Sequence, residues 1–599
     1  MPQTQPSTSA AVPKGGQFLM DAVGAAPIFS PDDFTPDDLA LGRTASDFLE
    51  KELIPFIPDM EKKDYARLMS AFKKGGELGF YMTAIPEKWG GLGLPKVVTA
   101  LLTEKLAGYG SFSVTQGAHM GIGTLPIVYF GSPEQKARYL PRLATGELMG
   151  AYALSEPGSG SDAQSAKTTA VLNEAGTHYV VNGTKQWITN GALADVFIVF
   201  VQVVDAQGAQ QFSALIVERG TPGFTHGKEE HKLGLRGSST TPLILENALV
   251  PVENLLGQVG RGHDIAFNIL NVGRFKLAVG VTGGAKLILK KAIAYAKDRK
   301  QFKRPVMDFG ALRQKVAEAA SEIWAMESAS YRITGLTDLL TESLGELGED
   351  APGTKKMAPI QEYAIEASIC KVWCSEAINR IASECLQMYG GYGYVEDYPA
   401  ELAFRDSRIN MIFEGTNEIN RLLIPGMLLK RAMTGRIPLM PWLGSLERGP
   451  QPMGTGPLAA EADAVQRIKG IAGLLLQTVA MKYMQRLEDE QELLLLLAEL
   501  VMEAYITDSA VARSLKRHHK GLATPVSDAM TRVVVSTASD RVRMNARRLA
   551  CSVLEGDALE AMLQKLAAWD PPLRTNLVAD RRLIADAVVE AGGYNQSPA

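Results

Sequence analysis

The sequence predicts a multidomain, mainly helical protein with one central β-domain. Apolar residues recur at three- and four-residue spacing in the first quarter of the chain and in its second half, which is the period of an amphipathic helix. Between about residues 151 and 260 the period changes to two, as in β-strands. With 599 residues the chain is long enough for several domains with cores of their own.

Composition and charge exclude several classes of protein. The chain has 62 basic and 66 acidic residues, for a net charge of −4, and no long basic run, so we expect no nucleic-acid partner. The longest apolar run, 493–498, is far shorter than the roughly 20 residues that span a bilayer. The 4 cysteines are too few for a disulfide framework, and the 7 histidines lack metal-ligand spacing. We therefore predict no metal site.

The first helical domain is predicted over residues 36–150, after an N-terminal tail of residues 1–35. Helical spacing is clear at 45–53 and 65–78, and the segment PEKWGG at 86–91 predicts a loop. The tail has no charged start followed by an apolar stretch and is not rich in basic residues, so it resembles neither a secretory signal nor a transit peptide. We expect a cytoplasmic protein of bacterial type.

The middle β-domain is predicted over residues 151–264. Two strand-like runs, 178–181 and 184–189, flank Asn182-Gly183, which is a strong signal for a hairpin turn. Further strands are predicted at 196–204, 212–218 and 242–250.

A bundle of long helices is predicted over residues 265–435. Helical spacing is clearest at 275–297, 311–340 and 360–389, and Gly390 is a typical stop for the last of these. Residues 436–458 are rich in Pro and Gly and are predicted to be a linker. A separate helical domain is predicted over 459–599.

The common nucleotide and hydrolase motifs are absent. Residues 280–284 include three glycines but lie inside a helical pattern rather than after a strand, so they are no dinucleotide fingerprint. Neither GxxxxGK[ST] nor GxSxG occurs. A nicotinamide-dependent enzyme, a P-loop ATPase and a serine hydrolase are therefore disfavoured.

A glycine- and serine-rich segment, YALSEPGSGSD at 152–162, opens the β-domain. One interpretation is a plain turn. Its hydroxyl groups and the backbone N–H groups at its glycines equally suit the anionic or polar edge of a ligand. Trp187, in the segment WITNG, is either part of the sheet core or one wall of a site for a flat aromatic cofactor.

Glu414 is a candidate catalytic base. It follows Met411, Ile412 and Phe413 and precedes Gly415, where another group can approach the backbone closely. Apolar surroundings disfavour the charged carboxylate and raise its pKa, which suits proton abstraction near neutral pH. The alternative is an acidic residue that stabilises a helix N-terminus.

Taken together, these segments resemble the acyl-CoA dehydrogenase family, and within it the very-long-chain branch. The resemblance covers about residues 36–433, and the C-terminal helical extension fits that branch because most of the family ends soon after the helix that follows Glu414. The matching segments, in the family's order, are WGGLG at 89–93, SEPGSGSD at 155–162, WITNG at 187–191, RKQF at 299–302, QMYGG at 387–391 and FEGT at 413–416.

The resemblance implies a helical, β-barrel-like, helical fold that binds FAD. Trp187 and Thr189 would flank the flavin ring, with Thr189 near its N5 edge, and Ser161 would lie near the pyrophosphate. The residues implied at FAD are Tyr152, Leu154, Ser155, Ser161, Trp187, Thr189, Thr416 and Glu418, and, from a neighbouring subunit, Arg299, Gln301, Phe302, Gln387 and Gly391. A homo-oligomer is therefore implied.

The implied reaction is the α,β-dehydrogenation of an acyl-CoA to a trans-2-enoyl-CoA. Glu414 would remove the α-proton while the β-hydride moves to flavin N5, and the electrons would pass to an electron-transferring flavoprotein. The Glu414 N–H and an FAD ribityl hydroxyl would hold the thioester oxygen. Ser161, Arg274 and Gly415 are implied at the substrate. Some relatives place the base on an earlier helix, as a Glu before an Arg; here that pair reads Gly273-Arg274, which favours Glu414.

The acyl chain length follows less directly. Gly117 and Gly121, with Gly123, are candidates for the floor of a deep acyl pocket, so we expect long-chain substrates of fatty-acid β-oxidation. Close helix packing is the alternative interpretation of these glycines. Two other functions stay open on this fold: an acyl-CoA oxidase that passes electrons to oxygen, and a non-catalytic assembly or binding protein.

The C-terminal domain has two interpretations. In the very-long-chain branch such an extension covers the surface through which shorter relatives pair dimers into tetramers, so we expect a homodimer. The second is peripheral contact with a membrane, through Trp442 and Leu443 or through a basic stretch. That stretch consists of Arg513, Lys516, Arg517 and Lys520.

Overall fold

The computed structural model of the chain describes residues 12–348, 351–451 and 454–597. Helices precede a central sheet, long helices follow it, and a further set of helices ends the chain. The predicted fold class is confirmed.

Short helices build the first part of the molecule. They are α1 (Pro36–Phe48), α2 (Ile57–Glu61), α3 (Tyr65–Glu77), α4 (Lys96–Leu106), α5 (Gly110–Gly117), α6 (Leu125–Phe130) and α7 (Pro133–Ala144). Two of them begin with a proline behind a hydroxyl cap, because Thr35 and Ser132 each accept a hydrogen bond from the N–H three residues on. Between α5 and α6 the chain forms a π-helical turn over Ala118–Gly123.

The central sheet is formed by eight strands. They are β1 (Gly150–Ala153), β2 (Thr169–Leu172), β3 (His178–Thr189), β4 (Val196–Val204), β5 (Gln210–Glu218), β6 (Phe224–His226), β7 (Thr240–Pro251) and β8 (Leu255–Leu256). The order is β6-β7-β3-β2-β4-β5-β8, and β1 pairs with β4. Strand β4 is buried on both faces: Ile198 and Phe200 join the core of the helical bundle, whereas Phe197 and Val199 join the core of the first helices. The sheet therefore lies between two helical layers.

The hairpin predicted at Asn182-Gly183 is wrong. Residues 178–189 form one strand that pairs antiparallel with β7, and the register shifts between Val181 and Gly183. The Asn182 Oδ1 accepts the N–H of Asn247 at 2.8 Å, and Asn247 itself has a φ of +53°. The Asn-Gly pair thus forms a β-bulge, since β7 is long enough to pair with both sides of it.

The helices of the bundle follow the sheet, and the first of them packs against β5. They are α8 (Gly262–Asp298), α9 (Gly310–Leu344), α10 (Gly353–Lys356), α11 (Ala358–Glu362), α12 (Ala364–Tyr389), α13 (Pro399–Ser407) and α14 (Asn417–Met433), with a two-stranded ribbon, β9 (Lys300–Gln301) and β10 (Arg304–Pro305), after α8. Gly390 ends α12 with a φ of +60°, as its stop signal predicts.

The last helices are α15 (Leu439–Ser445), α16 (Ala459–Tyr483), α17 (Gln491–His519), α18 (Pro525–Val553), α19 (Gly556–Trp569) and α20 (Leu577–Ala591). Helix α15 falls within the segment predicted to be a linker. Leu439, Leu443 and Leu446 are buried there at helical spacing, so the proline-rich composition concealed an amphipathic turn. Residues 452 and 453 of that segment lie outside the described residues.

The segment predicted as an N-terminal tail packs against the helices from residue 12 onward; its residues 1–11 lie outside the described residues. The Gly15 and Gly16 N–H groups donate to Glu362 and Glu366, and Phe18 contacts the Tyr505 ring with centroids 4.8 Å apart. A Cβ atom at Gly15 would lie 1.9 Å from the Glu362 carbonyl oxygen, so only glycine permits this approach.

Two of the four basic residues considered for membrane contact, Arg513 and Arg517, are buried, which argues against that interpretation for these two. Arg513 is fully buried and pairs with Glu327 at 2.6 Å, and its guanidinium lies 3.8 Å from the centroid of the Trp324 ring. Lys516, which is half-buried, and Lys520, which is exposed, both pair with Asp33. Of the two linker residues considered for the same contact, Leu443 is buried and Trp442 is half-buried. Among the described residues no helix is long and apolar enough to cross a membrane.

Candidate functional site

Glu414 lies in the short loop that precedes α14. Its backbone has a φ of +59° and that of Gly415 a φ of +80°. A non-glycine residue rarely adopts the left-handed region, so the loop is held by its surroundings. The Asn420 amide supplies that hold, because its Nδ2 donates to the carbonyls of Glu414, Gly415 and Thr416 at 3.4, 2.8 and 3.1 Å.

The Glu414 carboxylate points against helix α8. A Cβ atom at Gly273 would lie 2.3 Å from its Oε2, so the carboxylate occupies the space that a side chain at position 273 would fill. Oε2 is buried and has no hydrogen-bond partner among the described residues, although the residue as a whole is half-buried. Burial raises the pKa of Glu414 to about 7, and the positive charges of Arg274 and Lys371 oppose that rise.

Arg274 and Tyr152 form two further sides of this site. The Arg274 Nε donates to the Glu414 carbonyl at 3.4 Å and its Nη1 to Asn271 Oδ1 at 2.8 Å. Burial lowers the pKa of Arg274 to about 10, and Glu414 opposes that shift. Tyr152 is buried at the end of β1, and burial raises the pKa of its phenol, to which the charge of Glu414 adds. The Glu414 carboxylate therefore interacts with an arginine and an aromatic side chain.

The serine- and glycine-rich loop after β1 is held by a buried ion pair. Lys185 is fully buried on β3, and its Nζ lies 2.7 Å from the Glu156 Oε1. Glu156 also accepts the N–H groups of Lys167 and Thr168. Ser161 is exposed on this loop, and Cβ atoms at Gly158 and Gly160 would meet nothing within 4 Å. The anchored loop leaves its hydroxyl and backbone groups open.

Trp187 and Thr189 lie beside that loop. The N–H of Gln186, next to Trp187, donates to the Ser155 carbonyl at 2.9 Å, which joins β3 to the loop. Leu154 is buried and Ser155 half-buried at the same junction. Trp187 has a φ of +57° and is 61% exposed, which is unusual for an indole, whereas Thr189 is half-buried. The sheet core interpretation of Trp187 is therefore wrong.

Thr416 and Glu418 lie at the start of α14. The Thr416 hydroxyl caps the helix by accepting the Ile419 N–H at 3.3 Å. Glu418 is exposed, and hydrogen bonding to the backbone at the helix start lowers its pKa. Thr416 is thus half-buried and Glu418 exposed, two and four positions after Glu414.

Arg299, Gln301, Phe302, Gln387 and Gly391 are all exposed. Helices α8 and α12 bring them to one surface, because the Tyr295 and Tyr389 rings stack with centroids 4.1 Å apart and the Arg299 guanidinium lies 5.2 Å from the Tyr392 ring centroid. Phe302 is 87% exposed at a φ of +51°.

Gly117 and Gly121 lie on either side of the start of the π-helical turn. Cβ atoms at these two glycines would meet nothing within 4 Å, whereas one at Gly123 would lie 2.7 Å from the Gly150 carbonyl carbon. His119 joins the turn to the sheet, since its Nδ1 accepts the Gly150 N–H at 3.0 Å. Close packing therefore explains Gly123 but not Gly117 or Gly121.

Several residues of this site were not predicted. Asn420, Lys371 and the Lys185 side of the ion pair with Glu156 carry no motif of their own. Lys371 is a lysine within the apolar run ICKVWC, and that mismatch is the signal from which its burial could have been expected. No cluster of potential metal ligands occurs among the residues that the structure describes.

Family models match four stretches of the chain. They are the acyl-CoA dehydrogenase N-terminal domain at 35–147, its middle domain at 151–248, its C-terminal domain at 260–428 and a further acyl-CoA dehydrogenase C-terminal domain at 467–567. The resemblance that the motifs indicated is therefore confirmed.

Individual relatives agree with the family models. A probable acyl-CoA dehydrogenase of Bacillus subtilis (strain 168) is 45% identical over 594 residues, 98% of this chain and 99% of the relative. The very long-chain specific mitochondrial acyl-CoA dehydrogenase of Rattus norvegicus is 34% identical over 546 residues, 86% of this chain and 78% of the relative. The crystal structure of an acyl-CoA dehydrogenase complexed with FAD from Bacillus anthracis superposes with a TM-score of 0.93 at 43% sequence identity. The superposition covers 97% of this chain and 100% of that chain. The chain belongs to the acyl-CoA dehydrogenase family, whose enzymes are FAD-dependent oxidoreductases.

Proposed function

We propose that this protein catalyses the α,β-dehydrogenation of long-chain acyl-CoA thioesters, with Glu414 as the base. The observation that carries the proposal is the Glu414 carboxylate, whose buried Oε2 has no partner among the described residues and whose pKa lies near 7. A structural carboxylate would be paired at this depth, whereas a base needs a free oxygen and a pKa near the working pH.

FAD fits the surface beside this carboxylate. The loop of 155–162 offers hydroxyl groups, open glycines and backbone N–H groups, and Trp187 presents a large exposed aromatic face next to it. Tyr152, Leu154, Ser155, Ser161, Thr189, Thr416 and Glu418 are the other residues that we assign to FAD in the same chain. When bound, FAD supplies the two-electron oxidation that no side chain can perform.

The protein's own groups handle the proton and the carbonyl charge. Glu414, as carboxylate, takes the α-proton of the thioester. Its N–H has no acceptor among the described residues, and so it is available to hold the thioester oxygen as charge develops there. Arg274 and Asn420 fix the Glu414 carbonyl, which orients both functions of the residue. Ser161, Arg274 and Gly415 are the residues that we assign to the substrate.

The exposed group of Arg299, Gln301, Phe302, Gln387 and Gly391 supports a second proposal, that it contacts FAD of a neighbouring subunit in a homodimer. An 87% exposed phenylalanine at a positive φ is costly in a monomer, because it buries nothing in return for its strain. Light scattering tests the assembly: a dimeric mass supports the assignment, and a monomer that retains FAD contradicts it.

The long acyl chain is proposed from Gly117 and Gly121, whose missing side chains leave open space at the π-helical turn. The electron acceptor proposed is an electron-transferring flavoprotein, as the family resemblance implies. An oxidase would instead reduce oxygen directly, and peroxide formation without an added acceptor would identify it.

The decisive experiment is anaerobic reduction of the purified yellow holoenzyme. Palmitoyl-CoA should bleach the flavin absorbance, butyryl-CoA should do so weakly, and Glu414→Gln should retain flavin yet lose bleaching. Bleaching by neither thioester, with flavin bound, would refute the proposed reaction. A profile that peaks at butyryl-CoA would refute only the chain-length assignment.

A further inference from the structure

Lys371 is a buried lysine that the proposed reaction leaves without a role. It lies in the middle of α12 with 0% of its surface exposed. Its Nζ donates to the Asn417 Oδ1 at 2.7 Å, and no carboxylate of the described residues lies within ion-pair distance of it. A buried cation whose close partner is only a neutral amide is costly unless some other charge compensates it.

Other buried lysines show how this fold treats such a charge. Lys185 and Lys469 are also 0% exposed, and each lies within 2.8 Å of a carboxylate, that of Glu156 and that of Asp508. Lys371 differs because its counter-charge is more distant. Among the negative groups that act on it, Glu414 contributes most, ahead of Glu418 and Glu376.

Asn417 connects Lys371 to the catalytic loop. It is the first residue of α14, three positions after Glu414, and 3% of it is exposed. Its Nδ2 donates to Glu376 Oε1 at 3.0 Å, and Arg421 binds Glu376 at 2.7 Å. Lys371 therefore holds the first residue of α14, while Asn420 holds the carbonyl groups of the preceding loop.

We infer that Lys371 is a positioning residue for the base: it fixes Asn417 behind the catalytic loop and supplies a buried positive charge that favours the carboxylate form of Glu414. The inference rests on the proposed function, since it concerns the ionisation of the residue assigned as the base. Among the described residues, the charged and titratable groups that interact with Glu414 are Arg274 on α8, Lys371 on α12 and Tyr152 on β1. Lys371 itself is also within the influence of Arg274, Glu418 and Glu376.

Consistent with this arrangement, the two groups influence each other. Burial lowers the pKa of Lys371 to about 7, and the Glu414 charge opposes that fall. Burial raises the pKa of Glu414 to about 7, and the Lys371 charge opposes that rise. Each charge is thus most stable when the other is present, so their titrations are linked.

The test compares Lys371→Met, Lys371→Arg and wild-type holoenzyme. Flavin reduction by palmitoyl-CoA is followed by stopped flow from pH 5.5 to 9.5, and the Glu414 carboxyl is titrated by infrared difference spectroscopy against Glu414→Gln. We expect Lys371→Met to raise the apparent pKa by about one unit, which slows reduction about tenfold on the acid limb. Loss of the Asn417 contact should also lower the alkaline plateau. Lys371→Arg should restore the wild-type profile.

Lys469→Met is the matched control, because it removes an equally buried lysine in α16 whose partner is Asp508. It should lower the melting temperature without moving the apparent pKa. An unchanged pKa in Lys371→Met, or an equal shift in Lys469→Met, would overturn the inference. Should Lys371→Met not fold, Lys371→Gln keeps a donor for Asn417 without the charge and must also raise the Glu414 pKa; no shift there would overturn the inference equally.

The infrared titration does not depend on turnover. If no acyl-CoA reduces the wild-type flavin, the proposed function fails, and a shift of the Glu414 carboxyl pKa in Lys371→Met still establishes the link between the two residues. If reduction proceeds and the carboxyl pKa is the same in both proteins, the role of Lys371 alone is refuted.

Discussion

The Oε2 of Glu414 lies 2.3 Å from the position that a Cβ atom at Gly273 would take. The two residues are 141 positions apart in number but share one volume, between helix α8 and the loop before α14. Any side chain at 273 would displace the carboxylate, so the proposed base requires glycine at this position. Position 274 can then carry an arginine that holds the Glu414 carbonyl.

We expect Gly273→Ala to slow flavin reduction by about 10²-fold, because a displacement of the base by about 1 Å costs that much in rate. FAD content should stay at the wild-type level. Gly280→Ala is the control on the same helix, since a Cβ there would meet its nearest neighbour, Thr103, at an ordinary 3.7 Å. Reduction at wild-type rate in Gly273→Ala would mean that Glu414 does not act from the observed position.

Stability should depend on pH through Glu414. Its pKa in the folded protein is about 7, against 4.5 for the free side chain, so between those values the folded state binds the proton more strongly. Wild-type stability therefore falls as pH rises through this window, and above about pH 7 the full cost of the buried charge, roughly 1–3 kcal/mol, is present.

Glu414→Gln has no such charge, so its melting temperature should exceed that of wild type at pH 9 and approach it at pH 5. Differential scanning calorimetry of both holoenzymes at the two pH values measures the effect. A difference in melting temperature that is the same at pH 5 and pH 9 would show that the carboxyl does not titrate as the structure indicates.

Much of this architecture could be predicted from the period of the apolar residues, and the errors have physical causes. The long helices follow from periodicity, whereas strand β4 follows from its continuous run of β-branched and aromatic residues, which is buried on both faces. Asn182-Gly183 predicts a turn because that signal is local. The strand that pairs with the residues on both sides of it, β7, is distant in sequence. Helix α15 was missed because proline dominates its composition, although Leu439 and Leu443 bury one face.

The residues of the candidate site also fall into those that the sequence could predict and those that it could not. Glu414 could be selected from its motif, and the glycine at 273 could be noticed beside an arginine. Which group touches which could not be predicted, since the Lys371 to Asn417 contact spans 46 positions and the Lys185 to Glu156 pair spans 29. A buried polar contact produces no repeating pattern in the sequence, because it needs only one side chain on a neighbouring helix or strand.

Lys185→Met should release FAD. The substitution leaves Glu156 buried without its counter-ion, which costs about 3–5 kcal/mol, and the protein can relieve that cost by moving the loop of 155–162. Flavin content after gel filtration and the melting temperature measure the two effects. Lys469→Met breaks another buried pair, although Arg332 still pairs with Asp508, and it should lower the melting temperature while FAD stays bound. Equal flavin content in both variants would contradict the role of the ion pair.

Gly121→Leu should shorten the acyl chain that the enzyme accepts. A Cβ at this position meets open space, so the side chain can enter the proposed pocket without disturbing its neighbours. We expect kcat/KM for palmitoyl-CoA to fall by at least about tenfold, as expected when a side chain fills space that several methylenes of the substrate would occupy. The value for butyryl-CoA should change little. A parallel loss for both substrates would instead indicate that the π-helical turn had been distorted.

The C-terminal helices should depend on Arg513. Its Nη1 lies 2.6 Å from the Glu327 Oε2, which also accepts the Tyr594 hydroxyl at 2.9 Å, so one carboxylate joins α9, α17 and the end of the chain. Arg513→Met removes one of the two cations that pair with the buried Glu327, and Lys286 is the one that remains. We expect the free energy of unfolding to fall by about 3–5 kcal/mol.

Limited proteolysis should therefore cut the last helices of Arg513→Met under conditions in which wild type is intact, and the melting temperature should fall. Arg543→Met removes a half-exposed arginine of α18 that pairs with Asp570, and this surface pair should contribute only about 0–1 kcal/mol. A membrane role for Arg513 makes the opposite prediction, namely unchanged stability and weaker binding to anionic vesicles, because a residue at a lipid surface would not be needed for packing.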